Sequence, residues 1–105
     1  RYMIEYILEL LGVDFYPDYF QVYQNFPNPF NPLTKINFDI NIDSNVKLSI
    51  YNLKGQLVHE YNFGYLNPGL YSYEFNASNL TSGNYIYNIS TSSGVMDYRH
   101  MILIK

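Results

Sequence analysis

The residues that could do acid–base, nucleophilic or metal chemistry are few and scattered along the 105-residue chain. His59 and His100 are its two imidazoles, and neither has a Ser and Asp partner or a second His at ligand spacing. The absence of Cys removes thiol nucleophiles, thiolate metal sites and disulfides. We interpret both histidines as surface or strand-filling residues, and we expect no catalytic residue, no metal site and no cofactor.

The acidic residues supply two further candidates for a site. Residues 39–45 mix Asp and Asn as calcium loops do, but they lack the Gly and the closing Glu of an EF-hand. Glu60 and Glu74 could act as an acid and a base, but no feature of the sequence sets them on opposite sides of a cleft. We interpret residues 39–45 as a strand edge with a turn, and an enzyme is not indicated.

Composition indicates a folded protein without a nucleic-acid partner. Hydrophobic residues make up 48% of the chain and charged residues 14%, which is enough to bury a core. The formal net charge of -3 has the wrong sign for binding phosphates. No apolar run approaches the ~20 residues of a membrane-spanning helix, so we expect neither a transmembrane segment nor an amino-terminal export signal in these residues.

The first 20 residues differ in pattern from the rest. Residues 2–11 carry apolar side chains at the spacing of one helical face, and Gly12 ends that pattern. Because no capping residue precedes this helix, we interpret residues 1–20 as the last helix and connector of an upstream domain. Residues 21–105 are then expected to form a domain of their own.

From residue 21 onward, short runs of alternating apolar and polar residues predict strands. Gly55 completes a tight turn in which it can take positive φ, and Gly83 opens a later strand. We predict an all-β fold, an immunoglobulin-like antiparallel β-sandwich of about seven strands preceded by the short N-terminal helix, with a small barrel as the alternative. The predicted runs are residues 35–42, 46–51, 56–61, 70–75, 84–90 and 96–104, and the first has Ile36, Phe38, Ile40 and Ile42 on its core face.

The thirteen Tyr and seven Phe residues allow two interpretations. Exposed aromatic rings would suit a glycan-binding surface. Aromatic residues at strand period two fill a sheet face and form cross-strand pairs. We favour core packing for the residues that follow this period, Tyr71, Tyr73, Tyr85 and Tyr87.

Two stretches are more specific than the others. Residues 24–34, which we call the strap, contain three prolines in six positions with Asn between them. Each Asn-Pro step restricts the Asn and fixes φ of the Pro, so we predict a rigid extended segment with Phe26 and Phe30 available to plug a sheet end. Residues 99–105 form an apolar strand that runs to Lys105, which suggests that this end of the domain is itself used.

At these residues the chain resembles the type A C-terminal sorting domain of the bacterial type IX secretion system, also called the Por secretion system. The family opens with Asn-Tyr-Pro-Asn-Pro-Phe-Asn-Pro, and residues 25–32 match it with Phe26 in place of Tyr. Its middle motifs are matched in order by residues 50–58, 66–75 and 80–89. Its ending, Lys-Met-x-Leu-x-Lys, is matched from residue 100 onward with His100 in place of the first Lys. The opening motif and the Gly-x-Tyr strand also look similar to the Ig-like domain of the flagellar hook-capping protein.

The resemblance implies a non-catalytic export tag on a cargo protein from a Bacteroidetes-like bacterium. Such domains cross the inner membrane with their cargo, are bound by the outer-membrane type IX translocon, and are commonly removed by a sortase-type peptidase. The implied location is secreted or cell-surface, reached via the periplasm, with any cleavage within residues 12–24 and residues 101–105 read as a strand edge. The implied sorting-motif residues are Asn28, Pro29, Phe30, Asn31, Pro32, Gly55, Gly83, Tyr85, Met101, Leu103 and Lys105.

Two other functions are compatible with the residues. One is a carbohydrate-binding or adhesive sandwich, which would expose an aromatic patch on one face. The other is an accessory module that stabilises an extracellular enzyme in the same chain.

Overall fold

A computed structural model describes residues 21–92 and 94–105 of the chain. The described residues contain strands and turns and no helix, which confirms the predicted all-β class. The predicted helix at residues 2–11 and the connector at residues 13–20 lie outside the described residues. Within the part of the chain described, no helix has the length and apolar character needed to cross a bilayer.

Seven strands follow one another along the described residues, close to the number expected. Six of them overlap the predicted runs, several extend beyond the predicted limits, and the two-residue β1 was not predicted. They are β1 (Gln21–Val22), β2 (Leu33–Ile40), β3 (Ser44–Asn52), β4 (Leu57–Leu66), β5 (Gly69–Asn76), β6 (Gly83–Thr91) and β7 (Gly94–Leu103).

The strands form two antiparallel sheets. The three-stranded sheet has the order β1-β2-β5, and the four-stranded sheet has the order β4-β3-β6-β7. β4 and β5 are consecutive strands joined at residues 67–68, yet they belong to different sheets, so this turn carries the chain across the core. β7 is an edge strand, and its inner neighbour β6 pairs Tyr85 with Met101 and Gly83 with Leu103.

The core lies between the two sheets and follows the strand period. Along β2 the residues alternate between exposed and buried, with Ile36, Phe38 and Ile40 inside. Tyr85 and Tyr87 of β6 are buried as predicted, at 5% and 0% exposure. The other buried hydrophobic residues are Val22, Phe30, Val46, Leu48, Ile50, Phe75, Ala77, Ile89, Met101 and Leu103.

The prediction that Ile42 belongs to the core is wrong. β2 ends at Ile40, residues 41–42 form a bend, and Ile42 is 47% exposed. The chain must leave the three-stranded sheet here to start β3 in the opposite sheet. The alternation in the sequence therefore continues for two residues beyond the strand.

Candidate functional site

The strap leaves the three-stranded sheet and returns to it. The backbone N–H of Phe26 donates to the C=O of Lys35 at 3.0 Å, and the N–H of Lys35 donates to the C=O of Phe26 at 2.9 Å. Between these two residues the chain bends at residues 27–29 and 31–32, so the predicted extended course is wrong. The peptide bonds before Pro27, Pro29 and Pro32 are cis.

The base of the strap is held by a buried polar network. The Asn25 side chain, in a residue only 1% exposed, donates through Nδ2 to Thr34 Oγ1 at 3.0 Å and to the C=O of Pro27 at 3.2 Å. The hydroxyl of Thr34 donates to the same C=O of Pro27 at 2.9 Å. Buried polar groups that are fully hydrogen-bonded specify one arrangement of the chain. This network closes the loop that the strap forms.

Tyr87 connects this network to the four-stranded sheet. Its hydroxyl accepts a hydrogen bond from the backbone N–H of Asn25 at 2.8 Å and donates one to the C=O of Tyr23 at 2.8 Å. Burial raises the pKa of Tyr87 to about 12, although the hydrogen bond from Asn25 and the charge of Arg99 act in the opposite direction. The phenol therefore remains neutral over the physiological range and can serve as both donor and acceptor.

Of the two strap phenylalanines, one plugs the sandwich and the other does not. Phe30 is 3% exposed, and its ring centre lies 6.3 Å from that of Phe75. Phe26 is 77% exposed, so the expectation that it plugs a sheet end is wrong. Both backbone groups of Phe26 are used in pairing with Lys35.

Phe30 also forms an isolated parallel bridge with Leu103. Its N–H donates to the C=O of Ile102, and the N–H of Ile104 donates to its C=O, both at 3.0 Å. These two bonds lie on the side of β7 that faces away from β6. The strap therefore pairs with β7 through the backbone of one residue, Phe30.

Two strap side chains extend this pairing along the same edge. The Asn28 Oδ1 atom accepts a hydrogen bond from the N–H of Ile102 at 2.9 Å. The Gln24 Nε2 atom donates to the C=O of His100 at 2.7 Å. Together with the Phe30 bridge, they satisfy four successive backbone groups on the outer edge of β7. In the folded domain these outer backbone groups are therefore already bonded, and the reading of residues 101–105 as a strand edge by a partner stays a prediction.

The loop between β5 and β6 holds the end of the chain. The N–H of Lys105 donates to Ser82 Oγ at 2.9 Å, and its ammonium group donates to the C=O of Ser78 at 2.7 Å. The same loop meets the strap, because the N–H of Ala77 donates to the C=O of Pro32 at 2.9 Å. The positive charge of Lys105 is fixed beside this loop.

Tyr85 supports the same loop from β6. Its hydroxyl donates to the C=O of Thr81 at 2.7 Å, four residues earlier in the chain. Gly83 opens β6 with φ of 154° and pairs with Leu103. Met101 and Leu103 are 0% and 1% exposed, so both act through the core.

The structure brings most of the sequence-predicted site residues to one end of the sandwich. Gly55 lies in the β3–β4 turn with φ of 82°, and its hydrogen bond is local, to the C=O of Asn52 at 3.0 Å. Pro29 and Asn31 occupy exposed positions of the strap and form its bends. Those gathered around the end of β7 are Asn28, Phe30, Pro32, Gly83, Tyr85, Met101, Leu103 and Lys105.

The hydrogen bonds of Gln24, Asn25 and Tyr87 were not predicted from the sequence. Asn25 is the first residue of the opening motif, so the sequence marks it as a motif residue, but the sequence does not show that its side chain is buried. Tyr87 was predicted to be a core residue, which is correct, but its two hydrogen bonds depend on residues more than 60 positions away. No pattern along the chain indicates such partners.

Charge at this end of the molecule is modest. Arg99 Nη2 lies 3.2 Å from Asp97 Oδ2, and Arg99 Nε donates to the C=O of Val22 at 3.1 Å, joining β1 to β7. Both side chains of the ion pair are partly exposed, so its contribution to stability is small. Among residues 21–92 and 94–105, no group of three or more His, Cys, Asp or Glu side chains could hold a metal ion.

Solved structures that align with this chain have little sequence identity with it. Alkylpurine DNA glycosylase AlkC from Pseudomonas fluorescens, bound to DNA containing an abasic site analogue, aligns with 93% of this chain at 12% identity and a TM-score of 0.57. The chain spans 33% of the length of that glycosylase, so the likeness concerns the fold of one part. The C-terminal domain of Wzt aligns with 82% of this chain and 71% of its own at 15% identity and a TM-score of 0.48. The soluble domain of PmoD from Methylocystis sp. aligns with 87% of this chain and 95% of its own at 18% identity and a TM-score of 0.47.

The fold defines a small antiparallel two-sheet domain whose opening strap and terminal strand meet at one end. A family model identifies it further: the secretion system C-terminal sorting domain matches residues 24–105. The chain belongs to that family, which confirms the resemblance to type IX sorting domains. The domain formed by the matched residues is a C-terminal secretion-sorting signal. None of the curated proteins matches the chain significantly.

Proposed function

We propose that this domain is a non-catalytic signal that directs an exported cargo protein through the type IX secretion system to the cell surface or medium. The observation that carries the proposal is the pairing of Phe30 with Leu103. This pairing brings together the opening motif, residues 25–32, and the closing motif, residues 100–105, which are far apart in the sequence. The two motifs thereby contribute to one surface of the domain. A surface built in this way is displayed only by a folded domain.

The proposed partners are the outer-membrane type IX translocon and a sortase-type peptidase, reached via the periplasm. We propose that residues 1–20 connect the domain to its cargo and that cleavage falls within residues 12–24, ahead of the strap. The sorting-motif residues around the end of β7 would shape the bound surface. Asn28, Phe30 and Lys105 would do so by fixing the strap and the chain end, and Gly55 by fixing a distant turn.

We further propose that the sandwich is immunoglobulin-like. The strand orders β1-β2-β5 and β4-β3-β6-β7 correspond to A-B-E and C′-C-F-G of that fold. The hydrogen bond from the Tyr85 hydroxyl to the C=O of Thr81 supports this proposal. A Tyr near the start of strand F that binds back to the preceding loop is the tyrosine corner of such domains.

The decisive experiment places a signal peptide and a fluorescent reporter ahead of residues 1–105 in a host with a type IX system. Matched copies lack residues 101–105, carry Asn28→Ala, or carry Lys54→Ala as the control in the distant β3–β4 turn. The expected result is reporter outside the cell with the intact and Lys54→Ala chains, less reporter outside with Asn28→Ala, and reporter retained without residues 101–105. Equal export of the truncated chain would contradict the proposal, and retention of every copy would favour a binding or stabilising module.

A second candidate, glycan binding, is favoured by a half-exposed aromatic cluster between the edges β4 and β5. The Tyr61 ring lies 4.8 Å from that of Tyr73 and 4.9 Å from that of Phe63, and Tyr61 is 45% exposed. Aromatic faces of this kind can stack on sugar rings. Soluble glycans that raise Tm of the wild-type chain but not of Tyr61→Ala would support this function, and no shift with any glycan would exclude it from consideration.

A further inference from the structure

One side of the sandwich is bounded by β4 and β5, which are the outer strands of different sheets. On the other side, Arg99 of β7 is hydrogen-bonded to the backbone of Val22 in β1. Between β4 and β5, contacts of aromatic rings join the two sheets. The chain contains thirteen Tyr and no Cys, so the oxidative cross-link available to it is the coupling of two phenols rather than a disulfide.

Two tyrosines from different sheets meet in this cluster. The ring centre of Tyr61 in β4 lies 4.8 Å from that of Tyr73 in β5, with an angle of 35° between the ring planes. Tyr61 is 45% exposed and Tyr73 is partly buried, so a soluble oxidant reaches the pair through Tyr61. Because the exposed Tyr61 side chain is free to rotate, the carbons ortho to the two hydroxyls can come into contact.

His59 is placed to take the proton that Tyr73 loses on oxidation. Its Nε2 atom lies 2.8 Å from the Tyr73 hydroxyl oxygen. Burial lowers the pKa of His59, so its ring is neutral at pH 7, and the tautomer with hydrogen on Nδ1 accepts the phenol O–H. Burial and the neighbouring Tyr61 phenol raise the pKa of Tyr73, so this phenol keeps its proton until an electron is removed. A base already hydrogen-bonded to the phenol then receives the proton directly.

We propose that Tyr61 and Tyr73 form a site of oxidative cross-linking, at which a haem peroxidase and hydrogen peroxide join the two rings as a dityrosine. Each phenol gives up one electron and one proton. The proton of Tyr73 passes to Nε2 of His59 and that of Tyr61 to water. The inference does not depend on the proposed role in secretion.

The cross-link itself forms without further oxidant. The two phenoxyl radicals combine through one new carbon–carbon bond between ortho positions, and the two ortho hydrogens move to the oxygens to restore both phenols. One hydrogen peroxide takes up the two electrons and two protons and becomes two waters. The chain has then lost two hydrogen atoms, and β4 is covalently fastened to β5. Like a disulfide, such a link constrains the unfolded chain, so Tm rises.

Treating the full 105-residue chain with a haem peroxidase and hydrogen peroxide at low protein concentration tests the proposal. Monomer is recovered by size exclusion and digested with a Glu-specific protease, which releases residues 61–74 as one peptide. Mass spectrometry is expected to show this peptide short of two hydrogen atoms, without backbone fragments from between the two joined rings. The same monomer is expected to show dityrosine fluorescence and a raised Tm.

Three substitutions separate the roles. Tyr61→Phe keeps the ring but removes the phenol, and it is expected to abolish the cross-link. Tyr65→Phe is the matched control, because it removes a 65% exposed phenol from the same strand and the same peptide, and it should leave the yield unchanged. His59→Gln removes the imidazole that accepts the proton, so the yield at equal peroxide should fall severalfold.

Two results would overturn the proposal. One is a monomer in which residues 61–74 keep all their hydrogen atoms, although dityrosine-linked dimers in the same sample show that the peroxidase has oxidised exposed tyrosines. The other is the same loss of two hydrogen atoms in Tyr61→Phe, which would place the cross-link on another pair. An unchanged yield in a folded His59→Gln chain would overturn the role of His59.

Discussion

Asn28 Oδ1 accepts a hydrogen bond at 2.9 Å from the backbone N–H of Ile102, 74 positions later in the chain. The side chain of an asparagine in the opening motif thereby supplies the acceptor that a neighbouring strand would otherwise provide to β7. This hydrogen bond connects the beginning and the end of the segment that matches the family, residues 24–105. It also means that the last strand is presented with part of its outer edge, at residues 100–104, already bonded.

Loss of the buried amide at the base of the strap should destabilise the domain. Asn25→Ala removes the donor to the C=O of Pro27 and to Thr34 Oγ1, and it leaves the buried Thr34 Oγ1 without a donor, although Thr34 still donates to Pro27. We expect the free energy of unfolding to fall by about 1–3 kcal/mol. Chemical denaturation followed by far-UV circular dichroism measures this change. Asn31→Ala, at an exposed position of the same strap, should stay within about 0.5 kcal/mol of the wild type, and equal losses would contradict the assignment.

The hydroxyl of Tyr87 should contribute to stability independently of its ring. Tyr87→Phe keeps the core filled but leaves the N–H of Asn25 and the C=O of Tyr23 without their partner. The expected loss is about 1–3 kcal/mol of unfolding free energy, measured by denaturant titration. Tyr65→Phe is the control, since Tyr65 is 65% exposed. A neutral Tyr87→Phe substitution would show that water replaces both hydrogen bonds.

Alkaline pH should weaken the fold through the same residue. Burial raises the pKa of Tyr87 from 10.0 to about 12, so the folded state resists losing this proton. The resulting stabilisation is complete below the unfolded pKa of about 10 and disappears as the pH rises toward 12. Absorbance at the phenolate band should show tyrosine titration that extends to higher pH in the folded chain than in the unfolded chain, through Tyr87 and through Tyr73, whose pKa burial also raises. Tyr87→Phe should reduce that difference.

Mild acid should weaken the fold through His59. Burial lowers its pKa below 6.5, and the ring is hydrogen-bonded to the Tyr73 hydroxyl at 2.8 Å. Because the unfolded chain binds the proton more readily, stability is constant above the unfolded pKa and falls as the pH drops below about 6.5. Tm measured from about pH 7.5 to 5.5 should decline in the wild type and decline less in His59→Gln. Identical slopes would assign the effect to other groups.

Export should depend on the cation at the chain end more than stability does. Lys105 is exposed and its ammonium group is fixed by the C=O of Ser78, so Lys105→Ala should cost no more than about 1 kcal/mol of stability. If the fixed charge is part of the bound surface, reporter export should fall severalfold. Lys54→Ala, in the β3–β4 turn, is the control and should export normally. A loss of export that tracks a loss of Tm would indicate a structural role alone.

Much of the fold was predictable because strand alternation is a local property. The core positions of β2 up to Ile40, and of Tyr85 and Tyr87 in β6, follow directly from period two. The same rule failed at Ile42, where the chain turns toward the other sheet although the alternation continues. Phe26 and Phe30 look equivalent in the strap, and their opposite burial depends on which of them meets β7.

By itself, the sequence determined the all-β class, most strand positions and the family, because these reside in the order and spacing of nearby residues. The tertiary structure decided that the edge of β7 is closed by the strap, that Phe30 rather than Phe26 is buried, and that Tyr87 joins the strap to the sheet. Each of these depends on contacts between residues distant along the chain. Such contacts are set by how the two sheets stack and where the chain crosses between them, and alternation within a strand carries no information about either.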